Sequence, residues 1–287
     1  MRGLEICYNV ANAPAPHPNP LPASGEGYPP GDAFMPPDPA TAALLVIGDE
    51  ILSGRTQDKN IGIVAGFLAD LGIDLREVRI VLDSVAEIVA ALNALRHRYT
   101  YVFTTGGIGP THDDVTAEAV ASAFGVPLIE DSRAIALLLQ QVGPENLNAA
   151  RRRMARIPQS AELVENAVSK APGFWIGNVI VMAGVPAIVQ SMLAAVAPKL
   201  RSGPRTIAKT IEVGDMPEGA FAEDLSAEAA RQPEVSIGSY PSYRHGKFAN
   251  QIVVRGKDAA KVEAATAAIQ SIIAKLRAAG KDKYTIT

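Results

Sequence analysis

The sequence predicts an α/β protein, with a mostly parallel sheet covered by helices on both faces and a small α+β domain after it. Three observations carry this. From Ala42 onward, short aliphatic runs alternate with amphipathic stretches, the pattern of strand–helix–strand units whose strands lie side by side. Near Thr206 the order changes to strand, helix, two strands, helix. Between the two patterns stand Ser202, Gly203 and Pro204, a linker composition.

The elements follow in order. Ten of the chain's 21 prolines lie between Pro14 and Pro39, with few large apolar residues among them. Such a segment can bury little, so residues 1–40 are expected to stay disordered and outside the fold. Met35 stands just before the first convincing strand, and the physiological start is expected there. Strands are predicted at Ala43 to Ile47, Leu75 to Leu82, Tyr101 to Thr104 and Val179 to Met182. Helical periodicity marks Asn60 to Leu71, Ser84 to Arg98 and Thr116 to Phe124. These belong to a first domain over residues 41–202. The second domain, residues 203–287, is read as a strand from Thr206 to Val213, a helix from Gly219 to Arg231, strands at Glu234 to Tyr240 and Lys247 to Arg255, and a long helix from Asp258 to Ala278.

Composition removes several classes of function. The net charge of -3, from 27 basic and 30 acidic residues, gives no nucleic-acid or membrane footprint, so small-molecule chemistry is expected. A single cysteine, Cys7, excludes an intramolecular disulfide framework. No apolar run approaches the roughly 18 residues of a membrane span, and the start lacks a signal-peptide pattern. A cytoplasmic address is expected.

In an open parallel sheet, ligands bind outside the carboxyl ends of the strands. Four turns there are polar or glycine-containing. Gly48, Asp49, Glu50 and Ser53 follow the first strand, with Asp58 and Asn60 opening the next helix. Asp83 follows the second strand, and Gly184 to Pro186 follow the fourth. The third strand leads into TTGGIGPTHDDV, from Thr104 to Val115, the most informative stretch in the chain. Gly106, Gly107 and Gly109 let backbone amides approach an anion, and a helix N-terminus follows them. Thr105, Pro110 and Thr111 belong to the same candidate binding wall. Asp113 and Asp114 would repel a phosphate unless a cation sat between them.

Each feature also has a plainer reading. Asp58, Asn60 and Asp83 stand where helices begin, and such residues commonly cap helices for about 1 kcal/mol. Thr111 and Asp114 are spaced as a capping box. His112 has no partner spaced to bind a metal with it and reads as a loop residue. Arg151, Arg152, Arg153 and Arg156 read as a solvated helix face. Neither a dinucleotide fingerprint nor a P-loop is present.

GDEILSGRTQDKN (Gly48 to Asn60), TTGGIGPTHDDVTAEAVA (Thr104 to Ala121), APGF (Ala171 to Phe174) and GVP (Gly184 to Pro186) together resemble the molybdopterin-binding domain shared by molybdenum-cofactor biosynthesis proteins and competence/damage-inducible protein CinA. Their order and spacing are nearest to the CinA branch, over about Ala42 to Leu200. The GSYP of Gly238 to Pro241 resembles the small KH-like domain that follows in CinA proteins. A GxxG loop is missing, so RNA clamping is not expected.

The resemblance implies a three-layer α/β fold and, in the CinA branch, divalent-cation-dependent hydrolysis of a pyrophosphate in ADP-ribose or a related nucleotide such as FAD. In the cofactor-synthesis branch it implies molybdopterin binding for adenylylation, so a protein that binds or adenylylates molybdopterin or a nucleotide is the alternative. The two functional aspartates match Asp83 and Asp114, taken as the catalytic pair, while Asp49, Asp113 and Asp114 are the expected metal ligands. The cation is expected to be Mg, Mn or Co, with a monovalent cation and molybdopterin as further candidates. The expected partners are a nucleotide or pterin phosphate and a second copy of the chain in a homodimer. Two departures are visible: the LPGVPxE pattern of CinA reads MAGVPAI, with Ala183 and Ile188 in place of proline and glutamate. The deamidase domain that often follows in CinA has no counterpart in the sequence, so amidase activity is not expected.

Overall fold

In the computed structural model, which describes residues 39–244 and 247–280, the first apolar run becomes β1 (Thr41–Ile47). Cys7, Met35 and all but the end of the proline-rich segment lie outside the described residues. After β1 come α1 (Asp49–Leu52), α2 (Asn60–Asp70), β2 (Asp74–Val81), α3 (Val85–Arg96), β3 (Tyr101–Thr105) and α4 (Thr116–Phe124). The chain continues through β4 (Leu128–Glu130), α5 (Ser132–Val142), α6 (Ala149–Arg153), β5 (Arg156–Pro158), β6 (Glu162–Val164), β7 (Gly173–Ile176), β8 (Val179–Met182) and α7 (Pro186–Val196).

One sheet of six strands runs β2-β1-β3-β8-β7-β6. Its first four strands are parallel, and β7 and β6 are antiparallel additions at one edge. Strands buried on both faces need side chains for two cores, and β1 supplies them alternately. Ala43, Leu45 and Ile47 pack with Ile88, Leu92 and Leu95 of α3, Val120 of α4 and Leu138 of α5. Ala42, Leu44 and Val46 pack with Val64 and Leu68 of α2 and Val189, Met192 and Leu193 of α7. Each fully buried leucine or isoleucine contributes about 1.5–3 kcal/mol, so β1 alone fastens both helical layers to the sheet. The result is the three-layer, mostly parallel α/β architecture that was predicted.

The C-terminal domain contains β9 (Ile207–Gly214), α8 (Ala222–Arg231), β10 (Ser236–Tyr240), β11 (Tyr243–Arg244), β12 (Lys247–Phe248), β13 (Asn250–Gly256) and α9 (Ala259–Ala278). Its antiparallel sheet, β10-β13-β9, has its own core, in which Ile211, Val213, Ile252 and Val254 meet Val262, Ile269 and Ile273 of α9. The predicted single strand from Lys247 to Arg255 is divided, because β12 pairs with β11 whereas β13 pairs with β9 and β10. Among the described residues, no helix is long and apolar enough to cross a membrane.

Candidate functional site

The strand order creates the site. From β1 the chain moves to β2 on one side and then returns to β3 on the other, so the loops after β1 and β3 part at the carboxyl edge of the sheet. Two adjoining cavities open there. The larger, of about 580 Å³, is lined by Gly48, Glu50, Asp83, the turn from Gly106 to Pro110, Asp113, Asp114 and Gly184 to Pro186. The smaller, of about 270 Å³, is lined by residues including Thr56 to Asn60 and Thr105, and shares Ile47, Glu50, Gly184 and Pro186 with the larger.

The glycine turn is packed against its supports. Gly106 and Gly107 have φ of 102° and 65°, where side chains are strained. A Cβ on Gly106 would stand 2.1 Å from the Ile47 carbonyl oxygen, and one on Gly107 would stand 2.2 Å from Thr116 Oγ1. The Thr116 hydroxyl donates to the Gly106 carbonyl at 3.0 Å, so the first residue of α4 clamps the turn. Not every turn amide is free for a ligand. Gly106 N–H donates to Met182 and Gly109 N–H to Asp114, leaving the Gly107 and Ile108 amides without a partner among the described residues.

The carboxylates divide by role. Asp49 and Asp83 lock their loops reciprocally, each accepting from the other's backbone N–H at 2.9 Å. Asp83 therefore does not cap α3, and Ser84, which precedes that helix, offers no side-chain cap either. Partial burial pushes the Asp83 carboxyl above its usual range. The Asp49 N–H opposes this, while the charges of Asp49, Glu50 and Asp113 add to it. Asp114 spends both oxygens on its own loop, accepting from Gly109 N–H at 2.6 Å and from Thr111 N–H and Oγ1 at 2.8 and 2.5 Å. That arrangement closes the turn ahead of α4 rather than forming a capping box, since Val115 is the residue before the helix.

Other predicted residues are sorted as clearly. Asp58, one residue ahead of the N-cap Lys59, accepts from Ile61 N–H in the first turn of α2 at 2.8 Å. Asn60 does not cap the helix; its Nδ2 donates to the Gly184 carbonyl at 2.8 Å and joins the first and fourth turns. Ser53 and Thr111 are exposed and line neither cavity, and Asp49 reaches the site only through Asp83. His112 is a fully exposed loop residue. The arginine cluster splits. Arg152 pairs with Glu130 and Arg151 donates to the Asn146 carbonyl, whereas Arg153 and Arg156 line a small recess beside Gly109 and Asp114. The solvated-face reading fails for Arg153, whose Nε is buried without a partner.

One wall was missed from sequence. Asn166, Ser169 and Pro172 also line the larger cavity. Asn166 Oδ1 accepts from the amides of Val168 and Ser169, an Asx turn that the NAVS sequence signals, though nothing local tells that it lines the cavity. Among the described residues, no group of three or more His, Cys, Asp or Glu forms a ready metal site.

Residues 43–202 match the family described as "Probable molybdopterin binding domain". The chain belongs to this molybdopterin-binding family. Residues 206–279 match a second description, "FAD synthase, middle domain", which the sequence reading did not name. A "Probable FAD synthase" of Caenorhabditis elegans is 28% identical over 83% of the chain, and the chain spans 51% of that relative. A protein of Saccharolobus islandicus is 33% identical over 70% of the chain and 80% of its own length. Among solved structures, "the protein CinA with unknown function" from Thermoplasma acidophilum is similar, with 34% identity, a TM-score of 0.53, and coverage of 56% of this chain and 98% of that one. In this molybdopterin-binding domain, Ala183 and Ile188 pack on the core shared by α2 and α7 and give the larger cavity an apolar wall.

Proposed function

We propose that the cleft hydrolyses the pyrophosphate linkage of a nucleotide of the FAD or ADP-ribose kind, with a divalent cation. The observation that carries this reading is Asp83, which lines the larger cavity together with Glu50, Asp113 and the glycine turn, its Oδ1 3.5 Å from where a Gly107 Cβ would stand. The similarity to proteins named FAD synthase supports a flavin nucleotide as substrate class.

The donor set fits a hard cation. Asp113 and Glu50, whose carboxylates line the larger cavity, are the residues that would hold such an ion. When bound, it would supply neutralisation of phosphate charge and polarisation of the phosphoryl oxygens. The Gly107 and Ile108 amides hold a non-bridging oxygen at the head of α4. Asp83 Oδ2 accepts from Asp49 N–H, so Oδ1 is the oxygen that takes a proton from the attacking water. The water oxygen bonds to one phosphorus and the bond from that phosphorus to the bridging oxygen breaks. Two phosphate monoesters leave, with release of the water's protons.

The second reading, binding or adenylylation without hydrolysis, is favoured by Asp114, whose two oxygens are already committed to Gly109 and Thr111. One assay separates the two. The protein is incubated with FAD, ADP-ribose and CoA, each with Mg, Mn or Co, and release of AMP from the first two and of phosphopantetheine from CoA is followed by chromatography. Metal-dependent AMP release, lost in Asp83→Asn, is expected. Equal inactivity of wild type and Asp83→Asn with ligand still bound overturns the hydrolase reading.

A further inference from the structure

We infer that two copies of the chain join edge to edge through β2, antiparallel about a two-fold axis at Val78, with Glu77 of each copy opposite Arg79 of the partner subunit. The expected homodimer thereby gains a defined interface, one that does not depend on what the cleft binds.

β2 is an edge of the six-stranded sheet and pairs on one side only, with β1. One contact fixes which way its backbone groups face. Gly48 N–H donates to the Val81 carbonyl, so Val81, and with it Arg79 and Glu77, turn their backbone groups toward β1. Val78 and Ile80 alternate with these and turn theirs outward, where they meet no partner among the described residues. An open edge of this kind is a template for another strand. Val78 is 37% exposed, and Leu82, just past the end of β2, is 47% exposed.

The order of the charges selects the occupant. Charges and bulges usually blunt an edge, and β2 has both, since Arg76 stands out of register with β1 and Glu77 and Arg79 follow it. In an antiparallel pair outward-facing residues meet outward-facing residues, so a two-fold axis passes through a residue and not between two. The regular stretch beyond Arg76 runs from Glu77 to Val81. An axis at Glu77 would set two glutamates against each other, and one at Arg79 two arginines. An axis at Ile80 would bring Glu77 against Asp83 of the partner subunit, and one at Val81 would leave most of the strand unpaired. Only at Val78 do Glu77 and Arg79 both meet an opposite charge.

At that axis the two Val78 residues exchange backbone hydrogen bonds. Glu77 and Arg79, in register with Ala43 and Leu45, share the α3 face and fall in the intervening pairs, whose side chains approach most closely. Within one copy Arg79 Nε already donates to Glu77 Oε1 at 2.7 Å, so two copies close a ring of four alternating charges. The Tyr99 hydroxyl donates to Glu77 Oε2 at 2.7 Å and holds the glutamate in place. On the α2 face, the exposed Val78 side chains meet across the axis. The antiparallel join points the carboxyl edges of the two sheets in opposite directions, so the two clefts stay apart.

Sedimentation equilibrium over a range of concentrations measures assembly for wild type, Arg79→Glu, Val78→Pro and the double variant Glu77→Arg/Arg79→Glu. Wild type should be a dimer. Arg79→Glu sets like charges opposite each other on both sides of the axis and should raise the dissociation constant about a hundredfold or more. Exchanging both charges should restore the wild-type value. Val78→Pro removes an N–H that serves no partner within the chain, so melting curves should show a folded protein and sedimentation a monomer. Hydrogen exchange needs no substitution: the Val78 amide should be protected in concentrated wild type and exchange freely on dilution. The interface is overturned if wild type stays monomeric, if Arg79→Glu dimerises as tightly as wild type, or if the double variant fails to recover assembly. Exchange at Val78 that does not change with concentration also overturns it, and would mark a dimer formed through another surface.

Discussion

Asp83 is a carboxylate whose surroundings oppose its charge, since burial and the acids at Asp49, Glu50 and Asp113 all favour the protonated form. Asp83→Asn keeps an oxygen for the Asp49 N–H and removes that conflict. It should leave the protein at least as stable as wild type at pH 7 while lowering turnover by about 100-fold, the scale for losing one charge-handling group. The sign of the pH effect follows from the raised value. Wild type bears no penalty where the carboxyl is protonated both folded and unfolded, and bears all of it above the folded value. Melting curves should therefore place the two proteins together in acid and apart at neutral pH, and the reverse order would contradict this account. Gly106 gives a sharper test, because its neighbour is backbone that cannot swing aside. Gly106→Ala sets a Cβ 2.1 Å from the Ile47 carbonyl and keeps φ at 102°, which should cost about 2 kcal/mol or more in urea unfolding.

Among the elements, α5 shows how a single cap joins a helix to its neighbours. Asp131 accepts from the amides of Arg133 and Ala134 and from the Arg133 guanidinium, which also donates to the Ala161 carbonyl. Asp131→Ala should cost about 1–2 kcal/mol at pH 7. The Arg133 guanidinium holds the Asp131 carboxyl below its usual range, so this stability is present above the unfolded value of about 4 and is lost as pH falls through the folded one. The gap between mutant and wild type should close in acid. Elements of this length differ in how well the sequence announces them. β1, β3 and β8 were legible because burial on both faces demands unbroken apolar runs, and α4 because its periodicity is clean from Thr116 to Phe124. β4, β5 and β6 have three residues each, too few for any period to show. The glycine turn and the acids could be read from their positions after strands. The roles of Asp114 and Asn60 could not, since they depend on where Gly109 and Gly184 lie in space, and the wall at Asn166 comes from a segment far from β1 in sequence.

For the molecule as a whole, the C-terminal domain is fastened to the α/β domain near the linker. Gly203 N–H donates to the Leu71 carbonyl at 2.9 Å, and Lys257 Nζ lies 2.9 Å from Asp74 Oδ1, with both side chains about three-quarters buried. Lys257→Met should loosen this junction and hasten proteolysis between residues 202 and 206, while cleft binding of pyrophosphate stays as it was. Unchanged proteolysis would show that the linker contacts alone suffice. The strand order, unlike the strands, was not written locally, because it depends on which distant runs pair. β3 sits between β1 and β8 with Thr105 beside Val46 and Met182. Sliding β3 by one residue would exchange Thr104 with Thr105 and at the same time turn Val102 and Phe103 into the wrong layers. Thr105, which lines the smaller cavity, is thus indexed by the same alignment that sorts the two cores, and the protein cannot misplace the first while preserving the second.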